Sequence, residues 1–246
     1  MKQLVTAFSM CQTMFCRIPF PLKKWEEAAR PYLLLFLPLV GLEIGALWLL
    51  TDILLRHLGI PAPIYGFAMT AVPFLLTGGI HLDGFMDVAD AIGSWRELEK
   101  RRAILKDSLV GAVAVIWVIF LMLGYFAVFS SVTGKTQLQC LLLVPVVSRC
   151  CSALAVTGLK PMSTSQYAQQ KKPKAHIAVL LVMLCACLGA GFLLCGKYGA
   201  ALLGCLAGYG FALRHAYRSL EGMNGDISGY ALTVGELCAV AVYALI

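Results

Sequence analysis

The stretch SLVGAVAVIWVIFLMLGYFAVFSSV, residues 108–132, contains no charged side chain and is long enough to cross a lipid bilayer as one helix. Six further apolar stretches accompany it: 32–55, 62–80, 138–158, 175–196, 199–213 and 229–246. The sequence therefore predicts about seven membrane-spanning helices, with six or eight as alternatives. The stretches 62–80 and 199–213 are short or rich in Gly and Pro, so we expect them to be tilted, broken or re-entrant.

The composition of the whole chain supports a membrane bundle. Hydrophobic residues make up 60% of the sequence, charged residues only 13%, and the mean hydropathy is +0.81. These values lie outside the range of water-soluble globular domains. Because 246 residues leave no room for a second domain beside the spans, we predict one all-α domain, 1–246, a polytopic integral membrane helical bundle.

Residues 4–15 predict an additional helix before the first span. Leu4, Phe8, Cys11 and Phe15 share one helical stripe, which indicates an interfacial helix lying along the membrane. A cleaved signal peptide is the alternative. Polar residues interrupt its apolar run, however, and no small-x-small cleavage site follows.

Basic residues are distributed unevenly between the two sides of the predicted bundle. Sixteen of the 20 Lys and Arg residues fall in loops on one side, whereas Arg56, Lys135 and Lys197 fall on the other and Arg149 lies inside a span. Since cytoplasmic loops carry the excess of Lys and Arg, the richer side is predicted to be cytoplasmic. We expect a multi-pass protein of a bacterial or archaeal cytoplasmic (inner) membrane. Its net charge of +7 reflects this bias and an affinity for membrane lipid or phosphates, with no nucleic-acid partner.

Small residues in the apolar stretches indicate close helix packing. The ten cysteines show no paired CxxC pattern, so we interpret them as small buried apolar residues. Gly204, Gly208 and Gly210 allow a close helix contact, and a homo-oligomer is one way of using it.

The segment Gly78-Gly79-Ile80-His81-Leu82-Asp83-Gly84-Phe85-Met86-Asp87-Val88-Ala89-Asp90 carries the clearest chemical signal. On a helix, Asp83, Asp87 and Asp90 lie within roughly 60° of one another. Three such carboxylates repel one another unless a cation binds them, and hard oxygen ligands suit Mg²⁺, with Mn²⁺ as the alternative. A solvated acidic helix face is the other interpretation. The apolar flanks and the scarcity of acids, 13 in the chain, favour the metal site.

Other polar residues each have a functional and a structural interpretation. Glu43 and Arg149 lie within spans, where an ionisable group marks either a functional site or a mutual ion pair. Asp107 and Asp226 open spans, either as N-caps or beside a bound phosphate, with Lys106 next to Asp107. His81 is a general base, a ligand or a packing residue.

The same residues match, in order and over nearly the whole chain, the motifs of the cobalamin synthase (adenosylcobinamide-GDP ribazoletransferase) family, which this sequence resembles. Its Thr-Gly-x-x-His-x-Asp-Gly-x-x-Asp-x-x-Asp hallmark is intact from Thr77 to Asp90. The other matches are Arg17-Ile18-Pro19, Pro38 to Gly45 around Glu43, Lys106 to Gly111, Ser148-Arg149, and Gly225-Asp226-x-x-Gly229 with Glu236 downstream.

Three positions depart from the family pattern. Leu109 stands where Arg is frequent, Glu221-Gly222-Met223-Asn224 replaces Gly-Gly-x-Thr, and the loop 166–174 lacks the usual Gly-rich sequence. Substrate contacts in these loops are therefore the least transferable part of the resemblance.

The resemblance implies a membrane phosphotransferase of cobalamin biosynthesis. The hydroxyl of α-ribazole or its 5′-phosphate attacks the pyrophosphate of adenosylcobinamide-GDP, GMP leaves, and adenosylcobalamin or its 5′-phosphate forms. Such chemistry requires divalent cations, positive charge and in-line positioning. We expect Asp83, Asp87 and Asp90 to hold Mg²⁺, with Asp107 or Asp226 completing a second metal site. The expected binding set is Arg17, Lys106, Arg149, Glu43 and Asp226, and His81 or one of the aspartates takes the proton.

Two other functions are considered. Phosphotransferases that use CDP-alcohols also carry an Asp-Gly aspartate cluster, but Phe85-Met86-Asp87 does not fit their pattern. An ion-coupled transporter would use Glu43, Arg149 and the aspartates as an ion path. The two halves of this chain show no self-similarity of the kind that a transporter with inverted repeats would have.

Overall fold

The computed structural model describes residues 2–22, 24–134, 139–163, 165 and 174–246. Over these residues the chain is helical and contains no strand, only an isolated bridge between Pro161 and Met223. The ten α-helices are α1 (Lys2–Phe15), α2 (Leu37–His57), α3 (Ala62–Thr77), α4 (Ile80–Gly93), α5 (Leu98–Ile104), α6 (Ala112–Ser131), α7 (Val144–Gly158), α8 (Lys174–Cys195), α9 (Ala200–Leu220) and α10 (Gly225–Leu245). Short 3₁₀ segments cover Glu27–Phe36, Gln139–Leu142 and Gly196–Gly199. The predicted all-α class is confirmed.

In this bundle the most apolar helices are the most exposed, which is the reverse of the arrangement in a water-soluble protein. The most apolar segments, α6 and α8–α9, are mostly exposed, and large apolar side chains such as Leu193, Phe67 and Val182 are two-thirds exposed or more. The less apolar α7 and α10 form the interior. An outer surface of this kind is stable only against lipid, so the fold is a polytopic membrane bundle.

Five described segments have the length and apolar composition of a membrane span: Glu27–His57, Ala112–Ser131, Gln139–Gly158, Lys174–Leu220 and Gly225–Leu245. Helices α3 and α4 qualify only together, as a pair bent by 95°, which gives up to six. The predicted break in the second stretch is therefore confirmed. This count treats Lys174–Leu220 as one span, whereas the prediction divided it into two, and counting its helices α8 and α9 separately gives the predicted seven.

That long segment consists of two helices that fold back on each other. A straight helix of 47 residues would measure about 70 Å, more than twice the hydrocarbon thickness of a bilayer. Instead the chain reverses at Gly196–Gly199. The Cys187 thiol on α8 lies 3.9 Å from the Leu143 carbonyl oxygen, and the Cys205 thiol on α9 lies 3.9 Å from that of the next residue, Val144. Helix α9 itself is unbroken, so of the alternatives for 199–213 the broken span is wrong.

The predicted N-terminal helix is present, but its buried face differs from the predicted stripe. Helix α1 packs on Glu27–Phe36 and α2, with Ala7, Met10, Cys11 and Phe15 buried and Leu4 44% exposed. Gln12 is also buried, and its amide donates to Glu43 at 2.6 Å. Because this hydrogen bond stabilises a buried polar residue, the hydrophobic pattern alone did not identify the buried face of α1.

An ion pair occupies the interior of the bundle. The Arg149 guanidinium on α7 contacts the Glu236 carboxylate on α10, and Ser148 donates to the same carboxylate at 2.7 Å. Both charged side chains are almost fully buried. Mutual pairing of Glu43 with Arg149, one of the structural interpretations, is wrong because each has another partner.

Basic loops collect at one end of the bundle, as the positional bias predicts. Arg102 donates to the backbone carbonyls of Leu220 and Glu221, at 3.0 and 2.9 Å, joining α5 to the end of α9. At the opposite end, Arg56 bonds Thr133 O and Lys197 bonds Ile246 O. Lys23, Lys135 and the loop 166–173 lie outside the described residues.

The cysteines behave as small apolar residues. All ten fall in the described part of the chain as free thiols, and seven are buried. Burial raises the pKa of the Cys11 thiol on α1, which keeps it protonated.

Glycines set the closest helix contacts. A methyl group on Gly41 would lie 2.8 Å from the Arg149 side chain, and one on Gly45 would clash with the Leu142 carbonyl. Gly204 and Gly208 likewise face α10 of the same chain, so only Gly210, of the three glycines proposed for self-association, faces open space. Self-association through the other two would require the α9–α10 contact to open.

We expect Gly45→Ala to destabilise the protein by about 1–3 kcal/mol, because the added methyl overpacks the contact between α2 and the 3₁₀ segment Gln139–Leu142. The unfolding midpoint in detergent, followed with a dye that reacts with newly exposed cysteines, should fall by several degrees. Gly210→Ala is the matched control, since nothing lies within 4 Å of its new methyl group. Equal midpoints for the two variants would contradict the close contact at Gly45.

Candidate active site

The hallmark helix α4 and the start of α10 meet backbone to backbone. A methyl group on Gly84 would lie 2.9 Å from Asp226 Cα, and one on Gly229 would lie 3.1 Å from the His81 carbonyl oxygen. A glycine on each helix therefore permits the contact, and any side chain at either position would separate the two helices. The contact places Asp226 beside the acidic face of α4.

The carboxylates of α4 lie on one face, as their spacing predicts. Asp83 is exposed, while Asp87 and Asp90 are half-buried. Asp87 lies within electrostatic range of Asp83, Asp226 and Asp90. Four acidic groups from two distant parts of the sequence are thereby concentrated at one end of the bundle.

Asp90 connects this cluster to the Lys106–Gly111 motif. Both of its carboxylate oxygens lie against Gly111, at a distance that leaves no room for a side chain there. Gly111 directly precedes α6, so the loop that carries Lys106 and Asp107 is anchored beside α4. Three of the motifs found in the sequence thus converge.

Both N-cap interpretations are wrong. Helix α6 begins after Gly111, and Asp107, which is exposed, accepts a hydrogen bond from the Leu109 amide at 3.1 Å in the preceding turn. Helix α10 is capped by Asn224, whose side chain accepts from Ile227 N at 2.9 Å and donates to Asp226 at 2.6 Å. The Asp226 carboxylate is therefore held in place without serving as the cap.

His81 is buried with an unsatisfied nitrogen. Its ring stacks on Phe15, with 6.0 Å between ring centroids, and only 6% of the residue is exposed. Among the described residues, its Nε2 has no hydrogen-bond partner. His81 lines a small, partly open cavity of about 90 Å³ together with Asp226, Ser152 and Ser228. A buried nitrogen that lacks a partner is costly, so this position suits a group that a ligand completes.

The predicted cationic residues fall in different places. The Arg17 amide donates to Leu76 O at 2.7 Å, and its side chain packs over Gly78 at the bend between α3 and α4. Lys106 is exposed on the anchored loop. Arg149 lies inside the bundle in its pair with Glu236, and Glu43 is held by Gln12. The structure therefore brings Arg17 to the hallmark segment, whereas Arg149 belongs to the interior and the half-buried Glu43 to the contact between α1 and α2.

Sequence reasoning missed the hydroxyl groups of the cavity. Ser152 on α7 and Ser228 on α10 are hydrogen-bonded to each other, and Tyr209 OH lies 3.5 Å from Ser228 Oγ. Isolated serines in apolar spans were the available signal. Their pairing was not predictable, since 76 positions separate the two serines.

The donor set fits a hard divalent cation that is completed by water or phosphate. Within the described ranges, no group of three or more His, Cys, Asp or Glu side chains is close enough to form a ready-made metal site. In the same part of the chain, none of the ion pairs involves Asp83, Asp87, Asp90 or Asp226. Their mutual repulsion is thus not relieved by a protein cation. Mg²⁺ binds through one or two carboxylates plus substrate phosphate and water, which these oxygens allow.

Comparison with known proteins gives a consistent result. The family described as Cobalamin-5-phosphate synthase matches residues 7–244. A protein of Clostridium perfringens (strain 13 / Type A) named adenosylcobinamide-GDP ribazoletransferase is 34% identical over 100% of both chains. Proteins of the same name from Clostridium botulinum (strain Alaska E43 / Type E3) and Listeria monocytogenes serotype 4a (strain HCC23) are each 32% identical, over 96% and 94% of this chain and 96% of their own lengths. No solved structure matches.

The family match covers nearly the whole chain and includes every motif that converges at the α4–α10 contact. It confirms the resemblance recognised in the sequence. The chain belongs to the Cobalamin-5-phosphate synthase family.

Proposed function

We propose that this protein is an adenosylcobinamide-GDP ribazoletransferase, which joins adenosylcobinamide-GDP to α-ribazole or its 5′-phosphate. The observation that carries the proposal is the contact between Gly84 and Asp226. It brings the carboxylate of Asp226 to the aspartates of α4, beside His81 Nε2, which has no hydrogen-bond partner among the described residues. Relatives of the same length carry this name. The family match also weighs against a CDP-alcohol phosphotransferase and an ion-coupled transporter.

The proposed metal is Mg²⁺, with Mn²⁺ as the alternative. Asp83, Asp87, Asp90 and Asp226 would hold it, because they are concentrated without a partner cation. Asp107 would join them at a second site, on the loop that Gly111 anchors to Asp90. When bound, such ions neutralise the charge of phosphate oxygens during transfer.

Side chains of this chain supply the proton transfer and part of the positioning. The ribazole hydroxyl oxygen forms a bond to the cobinamide-side phosphorus, the pyrophosphate P–O bond breaks, and GMP leaves with the bridging oxygen. We assign the hydroxyl proton to His81 Nε2, which lines the cavity beside Asp226 and has no hydrogen-bond partner among the described residues. Arg17 and Lys106 hold the pyrophosphate as it gains charge. Arg149 would act from the interior by pairing with Glu236, which holds α7 against α10 where Ser152 meets Ser228.

The proposed location is the cytoplasmic (inner) membrane, with the site facing the cytoplasm. Arg17, Lys106 and Arg102 lie at the end of the bundle that carries the aspartates, while Arg56 and Lys197 lie at the other. A cytoplasmic site gives nucleotide-linked substrates direct access.

We expect Asp83→Asn and Asp87→Asn each to lower turnover at least about 100-fold, because an amide cannot replace a carboxylate on the metal. The measurement is Mg²⁺-dependent release of GMP from adenosylcobinamide-GDP by purified protein in the presence of α-ribazole. Both variants should insert into membranes normally, since neither side chain packs in the interior.

Glu99→Gln is the matched control, as Glu99 is an exposed acid on α5, outside the cluster. Its turnover should equal that of the wild type. Near-normal turnover of either aspartate variant would refute the metal assignment, and an absence of GMP release from the wild type would refute the activity itself.

We expect His81→Asn to lower kcat by about 10²–10⁴-fold with little change in KM, because the proton acceptor is lost while the substrate contacts remain. The same GMP assay, run over a range of ribazole concentrations, separates the two parameters. The control for loss of a histidine is His57→Asn, because His57 is the last residue of α2, at the end of the bundle away from His81. If kcat of His81→Asn stays within twofold of the wild type, an aspartate takes the proton instead.

A further inference from the structure

A second, larger cavity lies on the other side of α4 from the aspartates. Its volume is about 910 Å³, and α4 contributes Phe85, Ala89 and Ile92 to its wall. At 100° per residue these positions point roughly 160° away from the acidic face. The cavity is therefore separated from the proposed reaction site by the width of a helix.

The wall of this cavity matches an amphiphile with a negative charge. Trp117 and Phe120 of α6 and Phe211 of α9 line it, and these residues belong to the lipid-exposed surface. The lining includes two arginines, Arg96 and Arg101, and no carboxylate. An apolar chamber with positive charge suits hydrocarbon joined to an anionic group.

The Nε atom of one of these arginines has no hydrogen-bond partner in the described part of the chain. Arg101 Nε is buried and makes no hydrogen bond with any described residue. Its neighbour Arg102 differs, because it donates to the carbonyls of Leu220 and Glu221 at the end of α9. A buried guanidinium N–H without an acceptor is costly, so Arg101 is suited to a ligand oxygen.

The mouth of the cavity has the features of a membrane–water boundary. Trp95 lines it with 93% of its surface exposed, and a backbone φ of 53° holds this bulky residue in the left-handed region. Trp residues and basic residues together are typical of the headgroup level of a bilayer. The mouth also belongs to the basic end of the bundle, beside α5.

We propose that this cavity binds one anionic phospholipid, with its acyl chains along the aromatic wall and its phosphate against Arg96 and Arg101. A corrinoid is a poorer match, because its many peripheral amides would face apolar walls. Its pyrophosphate would also lie across α4 from Asp83. The site does not depend on the proposed reaction.

The test exchanges lipid on the purified, delipidated protein and measures retained lipid by native mass spectrometry. The probes are phosphatidylglycerol, which is anionic, and phosphatidylcholine, which is not. Wild type should retain about one phosphatidylglycerol with at least tenfold preference, and Arg96→Gln/Arg101→Gln should lose that preference. The control Lys100→Gln/Arg214→Gln removes the same charge from exposed positions outside the lining. This control variant should keep the preference for phosphatidylglycerol.

A second variant narrows the cavity and leaves both arginines in place. Val234→Phe, on the α10 wall, should lose the retained lipid even if the arginine variant folds poorly. Retention by both lining variants, or equal loss in the control, would overturn the proposal. Displacement of phosphatidylglycerol by stoichiometric adenosylcobinamide-GDP would instead make the cavity a substrate site.

Discussion

The backbone contact between α4 and α10 is the constraint on which the site depends. It exists because Gly84 and Gly229 leave no side chain between the two helices. Through this contact Asp226, near the end of the chain, joins the aspartates of the hallmark segment. A methyl group at Gly84 would press on the backbone of Asp226 itself, which a rotamer change cannot relieve. The concentration of carboxylates at this end of the bundle is thus a consequence of helix packing.

The buried ion pair between Arg149 and Glu236 stabilises the position of α10, the helix that contacts α4. Arg149 and Glu236 join α7 to α10 in a region where an unpaired charge would be very costly. One turn further along α7, Ser152 meets Ser228 of α10 in the cavity that His81 lines. The ion pair and the cavity therefore use the same two helices. Fixing these helices with a buried pair also fixes the hydroxyl groups next to His81.

Helix α4 divides two different environments. Its acidic face belongs to the polar end of the bundle, and the opposite face, with Phe85 and Ala89, borders the large apolar cavity. Since α4 is short and bent by 95° from α3, it need not cross the bilayer. It is thus free to present carboxylates on one side and hydrocarbon on the other.

The sequence by itself determined the all-α membrane class, the helical face shared by Asp83, Asp87 and Asp90, and the family. These properties follow from composition, local periodicity and motif order, which do not depend on how helices pack. Only the tertiary structure decided that Arg149 pairs with Glu236, that Asn224 caps α10, and that Asp226 lies against Gly84. Each of these involves either groups far apart in sequence or a choice between adjacent polar residues. Packing decides them, because close contact between helices selects one pair among many that the pattern allows.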